Sequence, residues 1–410
     1  MEHGATVEAI ALFVALITLA ALVGLAVRGL AIPYTVALVI LGLAGTFFLP
    51  RDQFVVTPDL VLLVLLPGLV FEAALKIEFA ELRSTLGGVA LLAIPGVLIS
   101  AAIVALVLNL ATGLKPELGF VVGAMVAATD PAAVIATFRQ LGSPRRLATL
   151  IESESLFNDG TALVVFAISL RAVTGGVSGG DVLLTLVGTI VVSTAVGLIA
   201  GYVVARTIAT VDDHLIELTL SLAAAYGTYL IADQLHQSGI IATVVAGVVI
   251  GNHGRRIGMS ARTQEALDIV WEFFAFLLTA LVFLLVGLAI NLARLIETLP
   301  SIAWGVVAIL VGRALVIYLV FGPASRLAVR LRGGQRMPLG WLHVMFWAGL
   351  RGAVAVAMAL SLPVDFPERA LLQEITFGIV LFTLLVQGST AERVIERVGG
   401  RLPRQPADGS

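Results

Sequence analysis

Two short runs hold most of the residues in this sequence that could do chemistry. One is Ala127-Ala128-Thr129-Asp130-Pro131, and the other is Glu152-Ser153-Glu154-Ser155-Leu156-Phe157-Asn158-Asp159-Gly160-Thr161. On a helix, Ser155 and Asp159 share one face, while Glu154 and Asn158 share the adjacent one. A carboxylate, a hydroxyl and loose backbone carbonyls form a set of hard oxygen donors that suits a small cation. The same carboxylate is a proton site. Burial makes its charged form costly, so it must take up a proton or a cation. A group that holds either one, never both, is the minimum device for exchanging them.

The surroundings of these runs are apolar. Hydrophobic residues make up 59% of the chain, charged residues 13%, and mean hydropathy is +1.05. A soluble domain carries about 25% charge. Repeated apolar stretches near the length of a hydrocarbon core point to membrane-spanning helices, and exclude a soluble enzyme, a nucleic-acid binder and a disordered scaffold. The net charge of −2 identifies no partner, and without cysteine there is no disulfide or thiolate metal site.

Charged, Gly and Pro breaks divide the chain into spans at 5–27, 33–49, 58–77, 87–111, 116–138, 146–170, 182–206, 214–236, 239–251, 268–291, 301–322, 338–361 and 370–391. Residues 1–8 carry two glutamates and no Lys or Arg, the wrong sign for a cleaved signal. The expectation is a retained first helix with its N-terminus outside. The loops then hold eighteen Lys and Arg inside, Arg28 and Arg336 among them. Only five lie outside: Arg51, Lys115, Arg171, Arg294 and Arg369. This is a strong positive-inside pattern.

Charge inside the spans is rare and needs a partner or a cavity. Arg313 and Arg351 are the two arginines there, against Glu72, Asp130, Glu154 and Asp159, with Glu152 and Asp233 nearer span ends. Pro131 removes a backbone donor and pushes Asp130 out of helical dihedrals, so the fifth span is expected to break. Gly349-Leu350-Arg351-Gly352 predicts a second break in the twelfth span. Each break lies in the middle member of a three-span set, four to six and eleven to thirteen, and the two run antiparallel. Paired breaks of this kind point to inverted repeats with a site at the midplane. Four half-helix ends would meet there, with Asp130 and Arg351 available to balance their poles. Asp159 lies about 13 residues from the inside end of its span, roughly 20 Å deep. Glu154 and Arg313 lie at similar depth, which reads as a buried ion pair. The histidines (His3, His214, His236, His253, His343) have no metal-ligand spacing, and no phosphate-binding loop supplies an ATP-driven motor.

These runs, with Gly349-Leu350-Arg351-Gly352-Ala353, resemble the monovalent cation:proton antiporters of the sodium/proton exchanger type. Ile32-Pro33-Tyr34 through Gly45, Phe71-Glu72-Ala73-Ala74-Leu75 and Phe283 through Leu288 add to the likeness. The resemblance implies an all-α polytopic membrane protein of about thirteen transmembrane helices, with inverted repeats and two interrupted helices crossing at the midplane. It implies that Asp159 and its Asn-Asp partner Asn158 are ion- and proton-binding residues, and that Thr129, Asp130 and Ser155 are ligands or immediate supports. Glu154 would pair with Arg313, and Asp130 with Arg351, while Glu72 would lie near the ion path. The core would comprise 87–170 and 301–391, and a dimerising scaffold 5–77 and 182–291, with 392–410 a cytoplasmic tail too short for tail-mediated regulation. A homodimer in the inner cell membrane is implied, not an enzyme and with no cofactor. Its partners are Na+ and H+, with Li+ or K+ also open, and its role is in pH homeostasis. The Asn-Asp form goes with electroneutral one-for-one exchange. A K+/H+ antiporter is the nearest alternative. An ion channel would not need the titratable carboxylate, and an intramembrane aspartyl protease would need a Gly-x-Gly-Asp run that Asp159 lacks.

Overall fold

A computed structural model of the chain describes residues 2–27, 33–47, 57–141, 144–175, 179–332 and 337–399. Arg28, Ile32, Arg51, Arg336 and the tail from 400 onward lie outside the described residues. The described residues form helices and connecting turns, with no strand among them. That follows from the composition, because a backbone in lipid must satisfy its own hydrogen bonds and a helix does so within one segment.

In chain order the helices are α1 (Glu2–Val27), α2 (Tyr34–Gly45), α3 (Leu66–Lys76) and α4 (Phe79–Thr112). Two half-helices follow, α5 (Pro116–Met125) and α6 (Ala132–Leu141), then the long α7 (Arg145–Val173). Next come α8 (Gly179–Ile208), α9 (His214–Gln234), α10 (Gly239–Val249) and α11 (Ala261–Ala289). The chain closes with α12 (Leu299–Leu331), a second pair of half-helices α13 (Leu339–Trp347) and α14 (Ala353–Leu360), and α15 (Arg369–Val398). Among the described residues, α4, α7, α8, α9, α11, α12 and α15 are long and apolar enough to cross a bilayer.

Several starts carry their own caps. Asp213 accepts from the amides of Leu215 and Ile216 at α9, Ser238 from Ile241 at α10, and Ser260 from Thr263 at α11. These caps satisfy amides that a helix start leaves free. Three helices run beyond their apolar stretches. α4 begins at Phe79 rather than 87, α11 at Ala261 rather than 268, and α12 continues to Leu331 rather than 322. Hydropathy marks the lipid-facing part of a helix, whereas the backbone continues through polar turns such as Glu81–Thr85, where Ser84 and Thr85 donate to the Glu81 carbonyl.

Packing sorts the helices. α4 lies against α5 and α12, α5 against α7, and α12 and α14 against α15. On the other side α2 packs on α11, and α10 on α3, α8 and α9. Close approach depends on missing side chains. A Cβ on Gly123 of α5 would stand 2.6 Å from the Ala101 Cα of α4, so only glycine allows this crossing. The two sets of helices meet where α3 and α10 run beside α7, and where α11 meets α14.

Candidate functional site

The two predicted breaks are present and lie against each other. Residues 126–131 separate α5 from α6, and residues 348–352 separate α13 from α14. The Asp130 amide donates to the Leu350 carbonyl at 2.8 Å, joining the two unwound segments. Four half-helix ends converge here, two with free carbonyls and two with free amides.

Each pole has a side-chain partner. Arg351 donates through Nη1 to the carbonyls of Ala127 (2.7 Å) and Ala128 (3.2 Å), just past the end of α5. Arg313 donates to the Met345 carbonyl in the last turn of α13, through Nη2 at 2.8 Å and Nε at 3.3 Å. The Asp130 carboxylate accepts from the Ala132 amide at 2.9 Å, at the start of α6. It also packs on Gly352, where a Cβ would come within 2.5 Å of Oδ2, at the start of α14. One aspartate therefore faces both positive poles and two arginines serve the negative ones.

This arrangement corrects one expectation. Asp130 and Arg351 were expected to pair, but the ion pairs among the described residues are Glu72–Lys76, Glu78–Arg145, Asp268–Arg255 and Glu154–Arg313. The physical reason is that the carbonyls ending α5 need donors and the amides starting α6 need an acceptor. Each charged group meets that demand first. Glu154 and Arg313 do come together, as a bidentate pair in which Nη2 donates to Oε2 at 2.9 Å and Nη1 to Oε1. Both are buried.

Asp159 and its neighbours hold α7 against the first break. Asn158 Nδ2 donates to Thr129 Oγ1 at 2.8 Å, and Asn158 Oδ1 accepts from the Thr129 amide at 3.2 Å. Ser155 Oγ donates to the Thr129 carbonyl. Asp159 is buried at 8% exposure, and its Oδ1 has no hydrogen-bond partner. A cavity of about 1410 Å³ reaches this carboxylate, and Thr129, Asp130 and Ser155 share its wall. Asn158 is not on that wall. Both ends of its amide are engaged by Thr129, so it sits as a staple rather than a cavity-facing ligand. Glu72 lines the cavity from α3, paired with Lys76.

Sequence reasoning missed Thr383. It is fully buried in α15, and its Oγ1 accepts from the Arg351 amide at 3.0 Å, fixing the second unwound segment. A lone threonine in an apolar helix gives no local signal for this. It also missed the Glu72–Lys76 pair, although Glu four residues before Lys on a helix is a readable signal. Among the described residues no group of three His, Cys, Asp or Glu side chains could hold a metal ion. The donors at Asp159 are instead one or two carboxylates and neutral oxygens, a set of low charge suited to a monovalent cation or a proton.

The fold and site define a multi-pass membrane protein in which two broken helices cross beside a buried carboxylate. Residues 14–397 match the family model of the sodium/hydrogen exchanger transmembrane region, and the chain belongs to that family. It is 41% identical over 373 residues to the Na(+)/H(+) antiporter ApNhaP of Aphanothece halophytica, covering 90% of this chain and 70% of that one. With the Na(+)/H(+) antiporter NhaP of Pseudomonas aeruginosa it shares 38% over 360 residues, 84% of this chain and 82% of that one. The fold is similar to that of the sodium proton antiporter MjNhaP1 from Methanocaldococcus jannaschii. The TM-score is 0.76 at 20% identity, over 97% of this chain and 100% of that one.

Proposed function

We propose that this protein is a secondary antiporter that exchanges Na+, and also Li+, for H+, one for one, by alternating access. The observation that carries the reading is the buried Asp159 carboxylate. It has an unpartnered oxygen and stands beside Thr129, Asp130 and Ser155 on the wall of a large cavity. In this reading Asp159 binds the cation in its charged form, with the Ser155 hydroxyl and a Thr129 oxygen as neutral ligands. It binds the proton in its neutral form. An ionised carboxylate without either costs several kcal/mol in a low-dielectric barrier. The empty charged site therefore does not cross, and exchange is coupled.

The moving part is 87–170 with 301–391, carrying both broken helices. The scaffold is 5–77 with 182–291 and forms the homodimer, on a side where α8 exposes Leu184, Val191 and Ile199. The membrane is the inner cell membrane, with the N-terminus outside and the C-terminus cytoplasmic. The cavity wall includes Lys76 at the end of α3, Glu152 in the first turns of α7 and Glu392 in the last turns of α15. These lie on the side where the charge pattern puts the inside, so in this reading the cavity opens inward.

The test is reconstitution of the full chain in liposomes with an imposed proton gradient and a pH-sensitive dye. Addition of Na+ or Li+ should dissipate the gradient while choline does not. A response to K+ alone would make this a K+/H+ antiporter. Cation flux that runs unchanged without proton movement would overturn antiport.

A further inference from the structure

The wall of the cavity that reaches Asp159 is strongly acidic. Its described residues include the carboxylates of Glu72, Asp130, Glu152, Asp159, Glu272 and Glu392, and among the described residues a single base, Lys76. That base is committed to one acid. Lys76 forms an ion pair with Glu72 one helical turn away, with the two side chains 30% and 13% exposed. These exposures set the pair apart from a freely solvated surface bridge. Glu before Lys at four residues is the favourable order on a helix. Lys76 is also the last residue of α3, where a cation complements the helix pole. Local geometry thus holds the ammonium at Glu72.

Depth places this pair on the way to the site. Glu72 lies four residues from the end of α3, about 6 Å, and Asp159 lies fourteen residues from the start of α7, about 21 Å. A cation moving from the mouth toward Asp159 passes Glu72 while its Oε1 is held by another monovalent cation tethered to the chain.

We propose that Lys76 is a built-in competitor for the transported cation at Glu72, and that it sets the apparent cation affinity of the inward-open cavity. The proposal rests on the antiport reading above and deepens it. Removing the ammonium frees a carboxylate in the path and makes the cavity more attractive to cations, so KM for Na+ falls. Through space alone, at an effective dielectric between 80 and 20, one charge with Asp159 about 15 Å deeper changes affinity roughly two- to sevenfold, whether or not Glu72 is charged. The competition is the further fall that only the Glu72-intact background shows.

The experiment compares wild type, Lys76→Met, Lys76→Gln and Lys76→Arg, each with Glu72 intact and with Glu72→Gln, at fixed pH and ionic strength. Na+-driven proton movement is measured in proteoliposomes. Na+-dependent thermal stabilisation is measured on the purified full chain in detergent, which reads affinity whether or not transport occurs. Both neutral variants should lower KM and midpoint roughly two- to sevenfold in the Glu72→Gln background, and by more than that with Glu72 intact. Lys76→Arg should stay near wild type, and the excess over the through-space effect should vanish in the Glu72→Gln background. An unchanged or raised KM and midpoint in both neutral variants would overturn the proposal. So would an equal fall with Glu72→Gln, which would mean the charge acts without the pair. A wild type that shifts with Na+ in detergent but moves no protons would instead overturn the antiport reading.

Discussion

The Glu154–Arg313 pair provides a sharp test of how the half-helix crossing is held. Glu154 is 2% exposed and receives both Arg313 terminal nitrogens, while Arg313 also donates to the Met345 carbonyl. Breaking a buried pair from one side costs about 3–5 kcal/mol, because the other charge is left without its partner. The two single variants should nevertheless behave differently with pH. In Glu154→Ala the stranded arginine cannot shed its charge, so its cost does not change between pH 7 and pH 5. In Arg313→Ala the stranded glutamate can take a proton, an option that costs an ordinary glutamate about 4 kcal/mol at pH 7 and about 1 kcal/mol at pH 5. The destabilisation of Arg313→Ala should therefore shrink on acidification by up to about 3 kcal/mol, relative to wild type, while that of Glu154→Ala holds. The double variant should lose less than the sum of the singles. The assay is thermal unfolding in detergent at both pH values, with all variants referred to wild type at the same pH. Simple additivity, or equal pH response of the two singles, would refute the reasoning.

Arg351→Gln should strand the carbonyls of Ala127 and Ala128, on the order of 1–3 kcal/mol each, and abolish transport with a lower unfolding temperature. Adding Asp130→Asn should restore neither, and recovery in the double variant would mean that the two residues form an ion pair after all. Apparent Na+ affinity should weaken as pH falls, because a proton on Asp159 removes the form that binds the cation. Transport kinetics across a pH series check this, and an affinity independent of pH would contradict a shared carboxylate. One-for-one exchange moves no net charge, so clamping the membrane potential should leave the rate unchanged. A reproducible change would mean that a second group carries a proton.

The breaks in the helices were legible from local chemistry. Pro131 removes a donor and restricts Asp130, and the glycines flanking Leu350 and Arg351 permit the second unwinding. The Glu154–Arg313 contact was legible by depth, because a buried charge needs an opposite charge at its own level. The partner of Arg351 was not. Its carbonyl acceptors lie more than two hundred residues away in sequence, and a list of charges favours an aspartate over a backbone oxygen that carries no mark. The second task of Arg313, at Met345, was hidden in the same way. Helix ends beyond the apolar stretches were missed because hydropathy measures lipid contact, not backbone hydrogen bonding. The π-helical turns at Leu92–Gly96, Leu315–Phe321 and Thr383–Gly388 left no trace except Pro95, whose missing amide hydrogen a wide turn accommodates.

The central claim is that one carboxylate, Asp159, carries both ions. Its most direct test is Asp159→Asn in the reconstituted full chain, with Na+-driven proton movement and Na+-dependent thermal stabilisation measured on the same preparation. Asparagine keeps the size of the side chain but can neither release a proton nor supply a negative charge. The account predicts a folded protein that melts within a few degrees of wild type, exchanges nothing, and is no longer stabilised by Na+. Substantial Na+-driven proton movement in that variant would contradict it.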